Sequence, residues 1–308
     1  MTPPAARIAA FLLAGNGFAL AEPPADAAPA TPPASPAGEA PPSPDFDWGP
    51  SAWDLIVEAW FPRLEGKLTW GGSGTAIEAS DLDLDASEVV VASDLTWRND
   101  WVAATVGGFS FSTSGTSTLP TGTVIGASTL AAPTSASASA DVWSVYGQAA
   151  VTLYRPFEAR QTPWGDATST ARDQGPRGSS VELDFDALIA IRYLSVSQSL
   201  TPLAAPTSTF ETQALGIGIG GGIDFRWQPG ELFPWFHALG IDVQAAVGPA
   251  LFAGSGTFTQ LETGLEIELC PNFAARFGYR LLDWVVDTDG GRSDAGLQGL
   301  VIGGRITF

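Results

Sequence analysis

The chain has 308 residues, enough for one large domain and a tail. Fourteen lysines and arginines stand against 33 aspartates and glutamates, a formal charge of -19 that would repel phosphate backbones and excludes nucleic acid as a partner. Cys270 is the single cysteine, so no intrachain disulfide can form. No cysteine follows the N-terminal apolar segment to carry a lipid anchor, and membrane attachment has to come from the fold.

Residues 1–21 carry one basic residue, Arg7, an apolar stretch from Ile8 to Leu20, and the small-x-small pattern Ala19-Leu20-Ala21. This reads as a secretory signal peptide. Residues 22–50 hold ten of the 24 prolines and seven alanines, a composition that buries no core and reads as a disordered linker. From Ala52 to Phe308 apolar and polar residues alternate, broken at intervals by Gly, Ser, Pro, Asn and Asp clusters, the mark of an all-β meander. Strands are predicted near 52–70, 89–99, 101–113, 139–154, 180–195, 210–228, 236–253, 257–270, 273–286 and 295–308. Many exceed the ~9 to 11 residues that a tilted strand needs to cross a bilayer. The expected fold is therefore all-β, a closed antiparallel up-and-down transmembrane barrel of about ten strands, within about eight to twelve. The connection from Arg155 to Ser179 is too long for the short turns expected on the side of the termini.

Each predicted strand has one apolar and one polar face. Leu183, Phe185, Ile189 and Ile191 oppose Glu182, Asp184, Asp186 and Arg192, and Leu261, Leu265, Ile267 and Leu269 oppose Glu262, Glu266 and Glu268. Alternation alone does not say which face is inside. The series Gly216, Gly218, Gly220 and Gly222 lies on a polar face, where it makes room inside a narrow lumen for long side chains from opposite strands. Trp53, Trp70, Trp97, Trp101, Trp143, Trp227, Trp235 and Trp284 fall near strand ends, as two interfacial girdles require.

The ending Gly303-Gly304-Arg305-Ile306-Thr307-Phe308 resembles the C-terminal assembly signal of Gram-negative outer-membrane barrels, with Phe308 as its terminal aromatic. Together with the run from Trp53 through Phe61-Pro62-Arg63-Leu64-Glu65-Gly66 and the segment Gly278-Tyr279-Arg280-Leu281-Leu282-Asp283, it is similar to a family of largely uncharacterised bacterial outer-membrane barrel proteins over residues 52 to 308. The resemblance implies an outer-membrane location, porin-like architecture, and outer-membrane lipids and the barrel assembly machinery as partners. It carries no functional site. The proline-rich tail and the 155–179 insertion depart from the pattern.

The expected lumen is a charge network of Glu182, Asp184, Asp186, Arg192, Asp224, Arg226, Glu262, Glu266, Glu268, Arg276, Arg280 and Arg305, joined by Asp54, Glu58, Glu65, Asp94, Asp242, Arg63, Lys67 and Arg98. Arginine forks can bridge two carboxylates, so this network reads as a set of ion pairs that fills the lumen, with the arginines as crossbars. A narrow small-solute or cation-preferring pore is the alternative, and a membrane-embedded hydrolase a more distant one. His237 is the only histidine, and Asp242 follows it at odd spacing, on the opposite face, so no catalytic residue is assigned and no enzyme is expected. Asp81, Asp83, Asp85 and Glu88 have Ala86 and Ala92 where an EF-hand needs Gly and a carboxylate, so they read as a solvated segment with Leu82 and Leu84 on the barrel rim. No metal and no cofactor is assigned. Across the Pro271-Asn272 turn a three-residue loop would place Glu268 opposite Arg276.

Overall fold

The computed structural model describes residues 51–156, 180–229, 233, 235–251 and 255–308. The signal peptide, the linker and the 155–179 connection beyond Pro156 lie outside the described residues. Ten long antiparallel strands form the barrel wall: β1 (Ala52–Trp70), β3 (Val90–Arg98), β4 (Val102–Leu119), β7 (Thr134–Tyr154), β8 (Ser180–Pro202), β9 (Ser208–Gln228), β10 (Ala238–Leu251), β11 (Ser255–Cys270), β12 (Phe273–Thr288) and β13 (Gly291–Thr307). Each pairs with its sequence neighbours, and β13 returns to β1 from Asp54↔Thr307 to Trp70↔Gly291. That seam closes the sheet and leaves no open edge between its first and last strands. The short β2 (Ile77–Glu78) pairs with β1, and β5 (Val124–Ile125) with β6 (Ser128–Thr129) forms a separate ribbon.

Because side chains alternate, each strand keeps a fixed parity of inward and outward positions between bulges, and what changes along it is chemistry. On β8 the outward positions from Val181 to Ile191 are Val181, Leu183, Phe185, Ala187, Ile189 and Ile191, followed by Tyr193 and then Ser195, Ser197 and Ser199. Its inward positions run Glu182, Asp184, Asp186, Leu188, Ala190 and Arg192, and then Leu194, Val196, Gln198 and Leu200. The outer face turns from aliphatic to hydroxyl just beyond Arg192, which is also the last charge on the inner face. β1 does the same, with Leu55, Val57 and Phe61 outside and Asp54 and Glu58 inside, then Arg63, Glu65 and Lys67 outside and Leu64, Leu68 and Trp70 inside. From Val181 to Ile191 a strand tilted by about 40° climbs about 25 Å at ~3.3 Å per residue, the height of an outer-membrane apolar band. The protein is thus a transmembrane β-barrel whose half nearer the termini carries aliphatic side chains outside, and whose far half is built like a soluble barrel.

The far half has a dry core. Trp60, Leu64, Leu68, Trp70, Leu82, Leu84, Phe111, Phe210 and Trp284 are each at most 1% exposed. Strand β3 is short, and above its end the segment around a single 3-10 turn at Ser80–Leu82 fills the gap between β1 and β4. A Cβ on Gly115 would lie 2.2 Å from the Leu82 carbonyl oxygen, so glycine is what lets this backbone sit against β4. Leu82 and Leu84 therefore reach the centre of the core rather than the rim. Trp70 and Trp284 also point inward, and the Trp284 Nε1 donates to Ser293 Oγ at 2.9 Å, so these two tryptophans do not belong to a girdle. Trp53 and Trp97 remain outside as direct cross-strand neighbours, and Trp143 meets Tyr193 edge-on at 5.3 Å on the outer surface. The outward orientation of Arg63, Glu65 and Lys67 corrects their expected place in the lumen: beyond the aliphatic band the polar face is the outer one.

The glycine series on β9 does face inward, and the room it makes goes to a neighbour on the same wall. A Cβ on Gly216 would meet the Phe258 ring at 2.5 Å, and one on Gly220 the Ala245 carbonyl oxygen at 1.9 Å. The β11–β12 turn is two residues long, Pro271-Asn272, because Leu269 is absorbed in a bulge. Cys270 thus pairs with Phe273, Glu268 with Ala274 and Glu266 with Arg276, which corrects the expected Glu268–Arg276 register while leaving both side chains in the lumen.

Replacing Leu82 with alanine removes a fully buried side chain and is expected to cost about 2–5 kcal/mol, read from the urea midpoint of the refolded protein. Leu203→Ala, at a site 87% exposed, should shift that midpoint within error.

Candidate functional site

The lumen side of the terminal half converges on two arginines of β12. Arg276 donates to Glu58 at 2.7 Å, to Glu262 at 2.8 Å and to Asp242 at 3.1 Å, with Glu266 3.5 Å away. One helical pitch would separate such residues in an α-helix; on a strand the i+4 residue Arg280 points the same way, and it reaches Glu58 at 3.0 Å, Glu262 at 3.2 Å and Asp94 at 3.3 Å. Glu58 and Glu262 each use one oxygen for each arginine, closing a ring of two cations and two anions. Strand β13 lies between β12 and β1, and it carries Gly303 where a Cβ would meet Glu58 Cγ at 2.7 Å, so the missing side chain is what lets Glu58 and Arg276 join across it.

Tyr146 of β7 donates to Asp94, which ties the ring to the next quarter of the wall. Arg192 stacks over the Tyr146 ring at 4.5 Å and donates to Ser144 at 2.9 Å and to Gln260 at 2.8 Å. Gln148 completes the span, donating to Gln244 at 2.6 Å and accepting from Gln260 at 3.1 Å. The crossbars of this lumen are therefore largely neutral amides from β7, β10 and β11. Arg276 binds carboxylates no more than two strands from its own, which corrects its expected role as a crossbar, whereas Arg280 also reaches Asp94 on β3, three strands away, as far round the wall as Gln148 reaches to Gln244. An inventory restricted to charge misses Tyr146, Gln148, Gln244 and Gln260; their inward parity in the sequence is the signal that finds them.

Nearer the termini, Arg226 and Arg305 share Glu268 at 2.6 and 2.8 Å, Arg305 also meets Glu266 at 3.1 Å, and Arg98 pairs with Asp54 at 2.7 Å. Arg155 grips both oxygens of Asp184 at 2.5 and 2.6 Å and lies 3.8 Å from Glu182. It sits at the end of β7 before the long connection, beyond the predicted strand, where the sequence pattern assigns it no face. Asp224 stands in register between Asp184 and Asp242, and among the described residues it has no ion pair, as is also the case for Asp186. These groups line a cavity of about 360 Å³ that opens at the terminal end. Glu58, Asp94 and Glu262 bring oxygens within 4.8 Å of one another, the spacing of a metal cluster, but Arg276, Arg280 and Tyr146 occupy them. His237 lies exposed ahead of β10 and gives its backbone N–H to Glu268, while Asp242 faces the lumen.

No family model matches the sequence, and no curated protein matches it. Among solved structures the chain is similar to the outer membrane protease OmpT from Escherichia coli, at 7% identity over 87% of this chain and 99% of that one, with a TM-score of 0.40. It is also similar to the P. putida toluene transporter TodX (10% identity, 86% and 91% covered, TM-score 0.24) and the Ralstonia pickettii toluene transporter TbuX (11%, 84% and 90%, TM-score 0.23). Its structural neighbours are thus outer-membrane β-barrel proteins, and the barrel itself is established here by its closed ring of strand pairs.

Glu58→Ala leaves two buried guanidinium groups each short of a carboxylate, and a loss of about 3–5 kcal/mol is expected. The measurement is the urea midpoint in lipid, with Lys67→Ala, whose surface pair with Glu78 is solvated, as a control expected to change by less than about 1 kcal/mol.

Proposed function

We propose that this chain is an outer-membrane β-barrel that acts through its surfaces, as a structural or interaction protein, with a lumen that passes no solute. The observation that carries this reading is the dry core of the far half, where nine large side chains no more than 1% exposed fill the section above the ring of arginines and glutamates. A conducting path needs continuous water, and apolar constrictions shut by dewetting. The charged chamber is then a blind one, open toward the termini, which in an outer-membrane barrel face the periplasm. An excess of carboxylates around it would favour cations at its mouth, yet gives them no exit. The terminal Phe308 supports handling by the barrel assembly machinery: its backbone pairs with Trp53 at 2.9 and 3.0 Å while its ring stays 67% exposed on the lipid side. Among the described residues no triad geometry accompanies His237, and no catalytic step is assigned.

In planar bilayers the purified barrel is expected to show no sustained openings. The double variant Arg276→Ala/Arg280→Ala should also stay closed, because the dry core remains, and cation-selective current from either protein would overturn the sealed-barrel reading in favour of a narrow pore. In cells, the mature chain should fractionate with the outer membrane, and removal of Phe308 should lower the amount of folded, heat-modifiable barrel recovered there. Recovery of the full chain as a detergent-free periplasmic protein would contradict the location.

A further inference from the structure

One face of the far half is unlike an ordinary solvated wall. The outward positions from Ser110 to Thr118 on β4, from Ser135 to Ser139 on β7 and from Ser195 to Thr201 on β8 are serine or threonine without exception. They stand in register, with Ser114 opposite Ser139 and Ser139 opposite Ser199, so the hydroxyls form a lattice with rows about 4.8 Å apart across the strands and about 6.7 Å apart along them. In a chain with more than twice as many acidic as basic residues, the sole charged group on this three-strand face is Asp141, and Ser112 donates to it at 2.6 Å. The inner side of β7 at the same height is Ala136, Ala138 and Ala140, all buried, which holds the wall against the core.

We infer that this wall is a docking surface for the saccharide chains of the glycolipid leaflet in which the barrel stands. The inference rests on the outer-membrane reading above and supplies the partner that a surface-acting barrel requires. Position argues for it: Ser110 and Ser195, where the lattice begins, stand in register on either side of Trp143, whose pair with Tyr193 ends the aliphatic band, so the lattice is continuous with the lipid-facing surface and stands where headgroup sugars stand. Chemistry argues for it as well. A serine or threonine hydroxyl both donates and accepts, as sugar hydroxyls do, whereas a polyanion would need cations, of which this face has none. Beyond the Trp143–Tyr193 pair at its membrane edge, the face offers a protein partner no aromatic or arginine anchor. The near absence of carboxylates also spares repulsion from phosphate groups carried by the same glycolipids.

The test uses the intact chain in phospholipid vesicles and the delipidated polysaccharide of lipopolysaccharide as probe, with binding read by co-sedimentation and by saturation transfer to the sugar protons. Binding above that of chain-free vesicles is expected, weakened at least five-fold in Ser137→Val/Ser197→Val and retained in Ser137→Thr/Ser197→Thr, which keeps the hydroxyls on a β-branched frame. Both variants should keep heat-modifiable mobility, so lost binding is separable from lost fold. No binding by the unaltered chain, or equal binding by the valine variant, would overturn the inference. A dimer in detergent that the valine variant dissolves would overturn it in favour of a second copy as occupant. Failure here with silent bilayers leaves the sealed barrel standing, whereas current through the lumen with polysaccharide binding intact removes the sealed barrel and leaves the docking surface.

Discussion

Fixed parity is the constraint from which the rest of this barrel follows. A strand cannot rotate its side chains independently, so parity commits each residue to the lumen or to the outside until a bulge resets it, as happens only near the terminal ends of β7 and β11 among the described residues. Where the surroundings outside change from hydrocarbon to water, the sequence has to exchange the chemistry of its two parities, and it does so near Arg192 on β8, near Glu58 to Leu64 on β1 and between Arg280 and Leu282 on β12. These positions lie on different parts of the wall at a common level, which is the level at which the ionic ring meets the dry core. One boundary outside the protein is thus mirrored by one boundary inside it.

That inner boundary explains why the charges are tolerable. A buried ion pair is neutral at best against an apolar substitute, and unpaired it is costly. Here Arg276 and Arg280 each meet three or four carboxylates, and Arg192, which meets a hydroxyl, an amide and an aromatic ring, is supported by the Gln260–Gln148–Gln244 chain. Connected polar networks rigidify what surrounds them, and this one does so although Arg192 Nε, Arg276 Nε and Arg280 Nη1 have no hydrogen-bond partner among the described residues. The apolar layer immediately above benefits, since Trp60 lies 5.9 Å from the Arg280 guanidinium and packs edge-on against Phe109 at 4.9 Å.

Ten strands, their order and the polar lumen of the terminal half are legible in the sequence because aliphatic residues at one parity, from Val181 to Ile191 or Leu261 to Leu269, persist long enough to exceed any turn signal. The far half is legible only in part. Serine clusters such as Ser110 to Ser117 read as turn punctuation, so β4 is expected to end near residue 113 and β7 to begin near 139, whereas both run on to Leu119 and from Thr134. The exchange of faces is likewise hidden from any reading that assigns one polar face to a whole strand, which is how Arg63, Glu65 and Lys67 come to be expected inside. Within the site the arginines and carboxylates are found by charge, but their partners are not, since Glu58 and Arg276 lie 218 residues apart and meet only across Gly303. The bulge at Leu269 has no signal beyond the turn itself.

The seam between β1 and β13 joins the two ends of the barrel sequence, and its effect reaches into time as well as space. Trp60 and Leu64 come from the first strand, Leu282 and Trp284 from the twelfth, and Leu297 from the last, yet they share one core. None of that core can close until the final strand has been made and paired with the first. The contacts are among the most distant in sequence that the chain possesses, and loop closure has to be met before they return any free energy. Until then the leucines and tryptophans of the far half have no shelter, so a nascent barrel held open by even one missing strand is an exposed apolar trough, with the hazards of aggregation that such surfaces carry.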